Sequence, residues 1–215
     1  MKKGVEIISF DMDGTLIPKE FADHFWLEKL PELYSKKHGL SKEKASDILM
    51  EHYDEIGKND VRWYQPEYWF SRYDLNEDPE EVLQEVRDHY DLYDDAKEAM
   101  KKLHKEYKLI VISNGIKMFI ETGLGDHKKY FSSLYSSVSD FQMSNKKPSL
   151  YLKICRQLHV EPGKVVHIGD SLHNDYEPAV QAGLTSYLLD RNGKRSEISS
   201  GTEVVTDLLQ IIDLF

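Results

Sequence analysis

Short, unbroken apolar runs separated by stretches of helical periodicity constrain this chain to a parallel β-sheet packed between helices. Val5 to Phe10, Leu109 to Ile112, Val165 to Ile168 and Ser186 to Leu189 are the clearest runs, with a weaker one at Leu134 to Val138. Runs lacking polar alternation suit strands buried on both faces. Ala96, Ala99, Met100 and Leu103 hold one helical face ahead of the second clear run, and a helix through Ile154 and Leu158 precedes the third. Ala179, Val180 and Ala182 precede the fourth, with Gly183 as the stop signal. Such alternation implies right-handed crossovers and an α/β, doubly wound parallel sheet with helices on both faces.

Residues 18–89 break the pattern. Ser41 is placed to cap a helix carrying Ala45, Ile48, Leu49 and Ile56 on one face, ended by Gly57. Asp78-Pro79-Glu80-Glu81 combines a capping side chain, a first-turn proline and a third-position glutamate, and Val82, Val86 and Tyr90 continue its stripe. This predicts a helical domain over 18–89, inserted into a discontinuous core of 1–17 and 90–215. Its aromatics (Trp26, Tyr53, Trp63, Tyr64, Tyr68, Trp69, Phe70 and Tyr73) are expected mostly to form a small core of the insertion's own. Val204 to Phe215, mostly apolar, is expected to pack a final helix on the sheet.

The 215 residues carry a formal net charge of -10, which argues against binding nucleic acid or acidic membranes. A small anionic substrate would then need a locally positive site, and magnesium could supply it. The single cysteine, Cys155, allows no intrachain disulfide and no cysteine-based zinc cluster, and reads as a small buried hydrophobe. The opening MKKGVEIISFDMDG builds no apolar signal core and no run approaches membrane-spanning length, so a cytoplasmic location is expected.

Ligands of open parallel sheets bind at the carboxyl ends of the strands, near the reversal of strand order. Four groups of residues fall there. Asp11 and Asp13 in Phe10-Asp11-Met12-Asp13-Gly14-Thr15-Leu16 are two carboxylates two residues apart at a strand end, where alternation points them the same way. Their crowding raises the proton affinity of at least one unless a cation lies between them. The pair suits a metal site with a nucleophile, or a general acid/base beside a nucleophile. Ser113 and Asn114 end the second run, where a hydroxyl and an amide can bind an anion. Lys146-Lys147-Pro148 forms the third group, and Gly169-Asp170 with Asp175 the fourth.

These four groups, in this order, resemble the motifs of the haloacid dehalogenase-like hydrolase superfamily. The resemblance runs from residue 8 to about 184 and is strongest at Ile8-Ser9-Phe10-Asp11-Met12-Asp13-Gly14-Thr15-Leu16. It implies that Asp11 attacks phosphorus and that Asp13 protonates the leaving group, then activates water. It further implies that Ser113 Oγ and the Asn114 N–H bind phosphoryl oxygens. The family's lysine stands immediately before proline, which selects Lys147 and leaves Lys146 as a neighbour without a role. Mg²⁺ would be held by Asp11, the Asp13 main-chain carbonyl and Asp170, with Asp175 orienting Lys147 or reaching the metal through water. The insertion would be a helical cap of the kind set between the first and second motifs, closing over the site.

The implied activity is magnesium-dependent hydrolysis of a small phosphorylated metabolite through an aspartyl phosphate. Asp13 argues against carbon–halogen displacement, which the family's dehalogenases perform with a single aspartate. Phosphonate hydrolysis needs a Schiff-base lysine in the cap, and no pattern supports Lys58 or Lys42 for it. A sugar phosphomutase shares the motifs and returns the phosphoryl group to its substrate. A non-catalytic phosphate-binding protein is the third reading. Lys58, Arg62 and Trp63, following Gly57 in the cap, are the residues proposed to set substrate specificity.

Overall fold

The structure is a computed structural model that describes residues 4–193 and 201–215. Lys2, Lys3 and residues 194–200 of the predicted core lie outside the described residues. In β1 (Ile7–Phe10), alternation sends Ile8 and Phe10 to one face of a sheet and Ile7 to the other, and both faces are buried. The same division holds in β2 (Lys108–Ser113), where Leu109 and Val111 oppose Ile110 and Ile112. With β3 (Phe131–Ser136), β4 (Val165–Gly169), β5 (Thr185–Leu189) and β6 (Val204–Val205), the order is β3-β2-β1-β4-β5-β6, every pair parallel.

The strand order reverses between β1 and β4. Phe10 lies level with Val111 on one side and Ile168 on the other, so the carboxyl ends of the three central strands form one rim. Whatever follows Phe10, Ile112 and Ile168 in sequence must converge there.

The insertion is helical, as its pattern predicts. Helix α1 (Glu20–His24) passes through a π-helical turn at Phe25–Lys29 into α2 (Leu30–His38), followed by α3 (Lys42–Ile56), α4 (Pro66–Arg72) and α5 (Pro79–Arg87). Ser41 Oγ accepts the Lys44 N–H at 3.3 Å, and Asp78 Oδ1 accepts those of Glu80 and Glu81 at 2.7 and 3.4 Å. Its aromatics do not make a separate core. Phe25, Trp69, Phe70 and Tyr73 belong to the same apolar cluster as Ile8, Phe10 and Met100 under the sheet. The cause lies in α7 (Lys117–Leu124), reached after α6 (Asp94–Leu103): Phe119 meets Phe25 edge-on at 5.1 Å and lies parallel to Trp26 at 5.8 Å. Arg87 Nε also donates to the Gly123 carbonyl at 3.0 Å, tying α5 to α7.

On the opposite face, Leu150, Tyr151 and Ile154 of α9 (Pro148–Gln157) and Ala179 of α10 (Glu177–Gln181) cover Ile7, Ile110 and Ile112, with Cys155 buried among them. Two expectations change. Val138 lies not in a strand but in α8 (Ser137–Phe141), because Ser136 caps that helix by accepting the Ser139 N–H at 2.8 Å. Val204 and Val205 are not helical. They pair with Leu188 and Leu189, giving β5 a partner for its outer edge, and α11 (Leu209–Leu214) begins only afterwards. Among the described residues no helix is long and apolar enough to cross a membrane.

Candidate active site

Asp11 leaves the end of β1 with its N–H bonded to the Ile168 carbonyl at 2.9 Å, so the sheet fixes its backbone. Beyond it the chain folds tightly: Leu16 N–H reaches Met12 O at 2.8 Å and Gly14 N–H reaches Ile17 O at 2.7 Å. Gly14 has φ +77°, and a side-chain carbon there would lie 2.8 Å from Asp170 Oδ2. Only glycine lets this loop rest against Asp170. Asp13 Oδ1 is buried with no hydrogen-bond partner among the described residues, and burial pushes the Asp13 carboxyl up to about 6.

The cation beside Asp11 is Lys146. Its Nζ donates to Asp11 Oδ1 at 2.5 Å and to the Ile112 carbonyl at 3.1 Å, and it contacts Asp175 Oδ1. Three acceptors thus meet the three donors of one ammonium. Lys147, singled out from the sequence, is exposed and stands at the N-cap position of α9 without a side-chain capping bond. This corrects the assignment. Pro148 holds the residue before it in extended backbone (φ -118°, ψ 161°), and along extended chain neighbouring side chains point opposite ways, so one lysine faces the rim and the other solvent.

Burial alone would lower the Lys146 pKa, but Asp11 and Asp175 outweigh it and raise it above the usual lysine range. Burial and the neighbouring Asp175 push Asp11 upward against Lys146, a crowding of like charge that a bound cation would relieve. Burial also acts to raise Asp175, yet Lys146 and then His167 hold it below the ordinary carboxylate range. Asp175 is fixed from three sides: Lys146, the Ser171 N–H at 2.9 Å, and His167 Nε2 at 3.1 Å. His167 in turn meets Ser9 Oγ through Nδ1 at 2.5 Å. A side chain at Gly169 would overlap Asp175, its carbon 2.2 Å from Cγ.

Ser113 is buried at the end of β2, and its Oγ accepts the Gly115 N–H at 3.0 Å. It does not cap α7, whose N-cap is Ile116. Asn114 receives the Ser137 hydroxyl on Oδ1 at 3.2 Å and faces a cleft of about 230 Å³ beside Asp13. Asp170 follows β4 and pairs with Lys19 Nζ at 2.6 Å.

Asp11, Asp170 and Asp175 are all buried and each offers a carboxylate oxygen, these atoms lying within 4.8 Å of one another. An all-oxygen, multiply negative donor set fits a hard divalent cation such as Mg²⁺ better than a thiophilic one. Lys146 engages one oxygen of Asp11 and Lys19 one of Asp170, whereas both oxygens of Asp175 are bonded, Oδ1 to Lys146 and His167 and Oδ2 to the Ser171 N–H, so Asp11 and Asp170 are the carboxylates better disposed to hold it.

The three residues proposed from the sequence to set specificity fare differently. Trp63 lines the cleft, and Lys58 lines an adjoining cavity of about 270 Å³ that shares Asp23, Trp26 and Trp63. Arg62 lines neither. It forks onto Asp60, Nε to Oδ1 at 3.0 Å and Nη2 to Oδ2 at 2.7 Å, on an exposed turn, because Asp60 caps that turn two residues earlier. Sequence reasoning missed Lys19, Trp26 and Phe119 at the cleft and His167 behind it. A histidine inside an otherwise apolar strand was the available signal for the last; no local pattern marks the others.

Fold and site together define an α/β hydrolase organised around an aspartate pair at the central strand. Residues 5–183 match the haloacid dehalogenase-like hydrolases, and the chain belongs to that family. Its structure is similar to a HAD phosphatase from Thermococcus onnurineus (TM-score 0.80, 26% identity, 98% of this chain and 97% of that one). The fold is shared with a 2-haloacid dehalogenase from Pseudomonas syringae pv. Tomato DC3000 (TM-score 0.65, 21% identity, 98% and 97% covered). In sequence, the chain is 29% identical over 72 residues to the GMP/IMP nucleotidase YrfG of Escherichia coli (strain K12), 34% of this chain and 32% of the relative. It thus spans about a third of the length of the curated relatives it matches.

Proposed function

We propose that this hydrolase is a magnesium-dependent phosphatase that cleaves a small phosphomonoester through an aspartyl phosphate on Asp11, with residues 18–89 acting as its cap. The observation that carries the reading is the pairing of Asp11 with the buried Lys146 ammonium at 2.5 Å, beside an Asp13 whose buried Oδ1 has no hydrogen-bond partner among the described residues. An unpartnered buried oxygen is costly unless a ligand group meets it. The leaving oxygen of an ester attacked by Asp11 is such a group.

In the first step an Asp11 oxygen bonds to phosphorus, the ester P–O bond breaks, and Asp13 gives its proton to the departing alkoxide. In the second, Asp13 takes a proton from water, whose oxygen bonds to phosphorus as the bond to Asp11 breaks, releasing inorganic phosphate. Lys146 holds the Asp11 carboxylate in place and balances negative charge that accumulates at phosphorus. Ser113 Oγ and the Asn114 N–H would bind phosphoryl oxygens, and Asp175 orients Lys146. Asp11, the Asp13 main-chain carbonyl and Asp170 would hold Mg²⁺, which when bound supplies positive charge between the nucleophile and the phosphoryl group. The likeness to a phosphatase and to a nucleotidase by name supports phosphoryl over carbon–halogen chemistry, as does the second aspartate.

The test is release of inorganic phosphate from phosphorylated sugars, phosphoglycolate and nucleotides, with Mg²⁺ and with EDTA. Mass mapping of acid-quenched enzyme should locate a phosphoryl group on the peptide holding Asp11, and Asp11→Asn should abolish both signals. A magnesium-loaded wild-type enzyme that frees no phosphate from any of them would overturn the reading.

A further inference from the structure

The cleft beside Asp13 is unusual in what walls it. Trp26, Trp63, Tyr64 and Phe119 line it, while Asp13 and Asn114 mark the end nearest the aspartate pair. The chain has three tryptophans. Trp69 is 0% exposed, as a core ring is expected to be, whereas Trp26 and Trp63 are only partly buried and stand at the cleft. Phe119, which lines the same cleft, lies nearly parallel to Trp26 (2°, 5.8 Å), and Trp63 stands 6.4 Å from Trp26, tilted by 32°. Large, rigid ring faces lose little entropy when they pack and favour contact with another flat π system. A small aliphatic alcohol would leave most of this surface unused.

Gly115 also lines the cleft, between Ser113 and the aspartate pair: a side-chain carbon there would lie in ordinary contact with Ser113 Oγ at 3.4 Å and Asp13 Oδ2 at 3.7 Å. The polar lining residues include Lys19 and the exposed Asp23 beside Asp13 and Asn114. Asp23 can accept hydrogen bonds from the edge of a flat heterocycle. Lys19 and Lys58 as well as Glu20 act on Asp23, so charges of both signs surround it.

We propose that this cleft is a stacking subsite for the leaving alcohol, and that the preferred esters carry a planar aromatic ring close to a single phosphate, as nucleoside 5′-monophosphates do. The inference rests on the phosphatase reading for its kinetics but not for its binding. With Mg²⁺ present, phosphate release from AMP, GMP and CMP is compared with release from ribose 5-phosphate, which keeps the sugar and phosphate but lacks the ring. Stacking on one side chain supports a kcat/KM advantage of about 10-fold for at least one nucleotide. Trp63→Ala should bring that ratio close to one, and Trp63→Phe, which retains a ring, should keep most of it.

A second measurement needs no turnover and no variant. Adenosine, guanosine and cytidine are titrated into wild-type enzyme while tryptophan fluorescence is followed; at least one should quench it saturably, and ribose should not. Equal kcat/KM for ringed and ringless esters, or a ratio untouched by Trp63→Ala, would overturn the subsite and leave the phosphatase reading intact. Absence of phosphate from every ester would instead overturn the phosphatase reading. In that case the fluorescence titration decides the subsite alone, and no quenching by any nucleoside would sink it.

Discussion

Lys146 sets its ammonium 2.5 Å from Asp11 Oδ1 while contacting Asp175, so one buried cation joins the end of the central strand to the π-helical turn Leu172–Tyr176 that follows β4. The arrangement assigns different work to adjacent lysines. Lys146→Met leaves Asp11 and Asp175 buried without their counter-charge, a change that costs about 3–5 kcal/mol when a buried pair is broken. We expect it to lower the thermal midpoint and to reduce phosphate release by at least about 100-fold. Lys147→Ala, at an exposed position, should alter stability by less than about 0.5 kcal/mol and leave turnover within about two-fold of wild type. Equal losses in the two variants would refute this division.

His167 is fully buried between Ser9 and Asp175. Replacing it by alanine takes the ring partner from buried Ser9 Oγ and one of three contacts from Asp175, and a buried polar group left unsatisfied costs about 1–3 kcal/mol. Urea denaturation of His167→Ala should show a loss in that range or above, and Ser9→Ala, which removes one contact, should show less.

Gly14 combines φ +77° with a carbon position 2.8 Å from Asp170 Oδ2. Gly14→Ala should therefore destabilise the fold by about 1–2 kcal/mol through the left-handed backbone alone. Because the added methyl also displaces Asp170, a higher magnesium concentration should be needed for half-maximal stabilisation. A variant matching wild type in both respects would contradict the geometry.

Magnesium should stabilise the protein apart from any catalysis, since Asp11, Asp170 and Asp175 crowd negative charge that a cation neutralises. At about 100 times the dissociation constant the gain is about 2.7 kcal/mol, readable as a rise in the thermal midpoint. EDTA should reverse the rise, and Asp170→Asn should diminish it. A midpoint indifferent to Mg²⁺ would argue against a cation site here.

Asp78 caps α5 through two N–H groups, the closer at 2.7 Å, whereas Ser41 caps α3 through one at 3.3 Å. Asp78→Ala should cost about 1 kcal/mol and Ser41→Ala about 0.5 kcal/mol by chemical denaturation. The reverse ranking would show that cap geometry does not set the energetics of these helices.

Local pattern was enough for the parts of this protein whose physics is local. Apolar runs at strand length located β1, β2, β4 and β5 and, through them, the rim where Asp11, Ser113 and Asp170 meet; Ser41 and Asp78 marked helix starts because capping is decided within a few residues. Val204 and Val205 were misread because pairing with β5 depends on an edge that exists only once the sheet is assembled.

The choice between Lys146 and Lys147 needed the direction of each side chain across an extended step before Pro148, which composition cannot specify. Arg62 was likewise drawn off by Asp60, and Trp26 entered the cleft because Phe119, distant in sequence, supports it. Residue order thus determined the strands β1, β2, β4 and β5, the capped helices and which carboxylates end together, since short-range sterics, capping and burial govern those. Tertiary packing alone decided which lysine faces the acids and which rings wall the cleft, because contacts between distant segments fix where a side chain points.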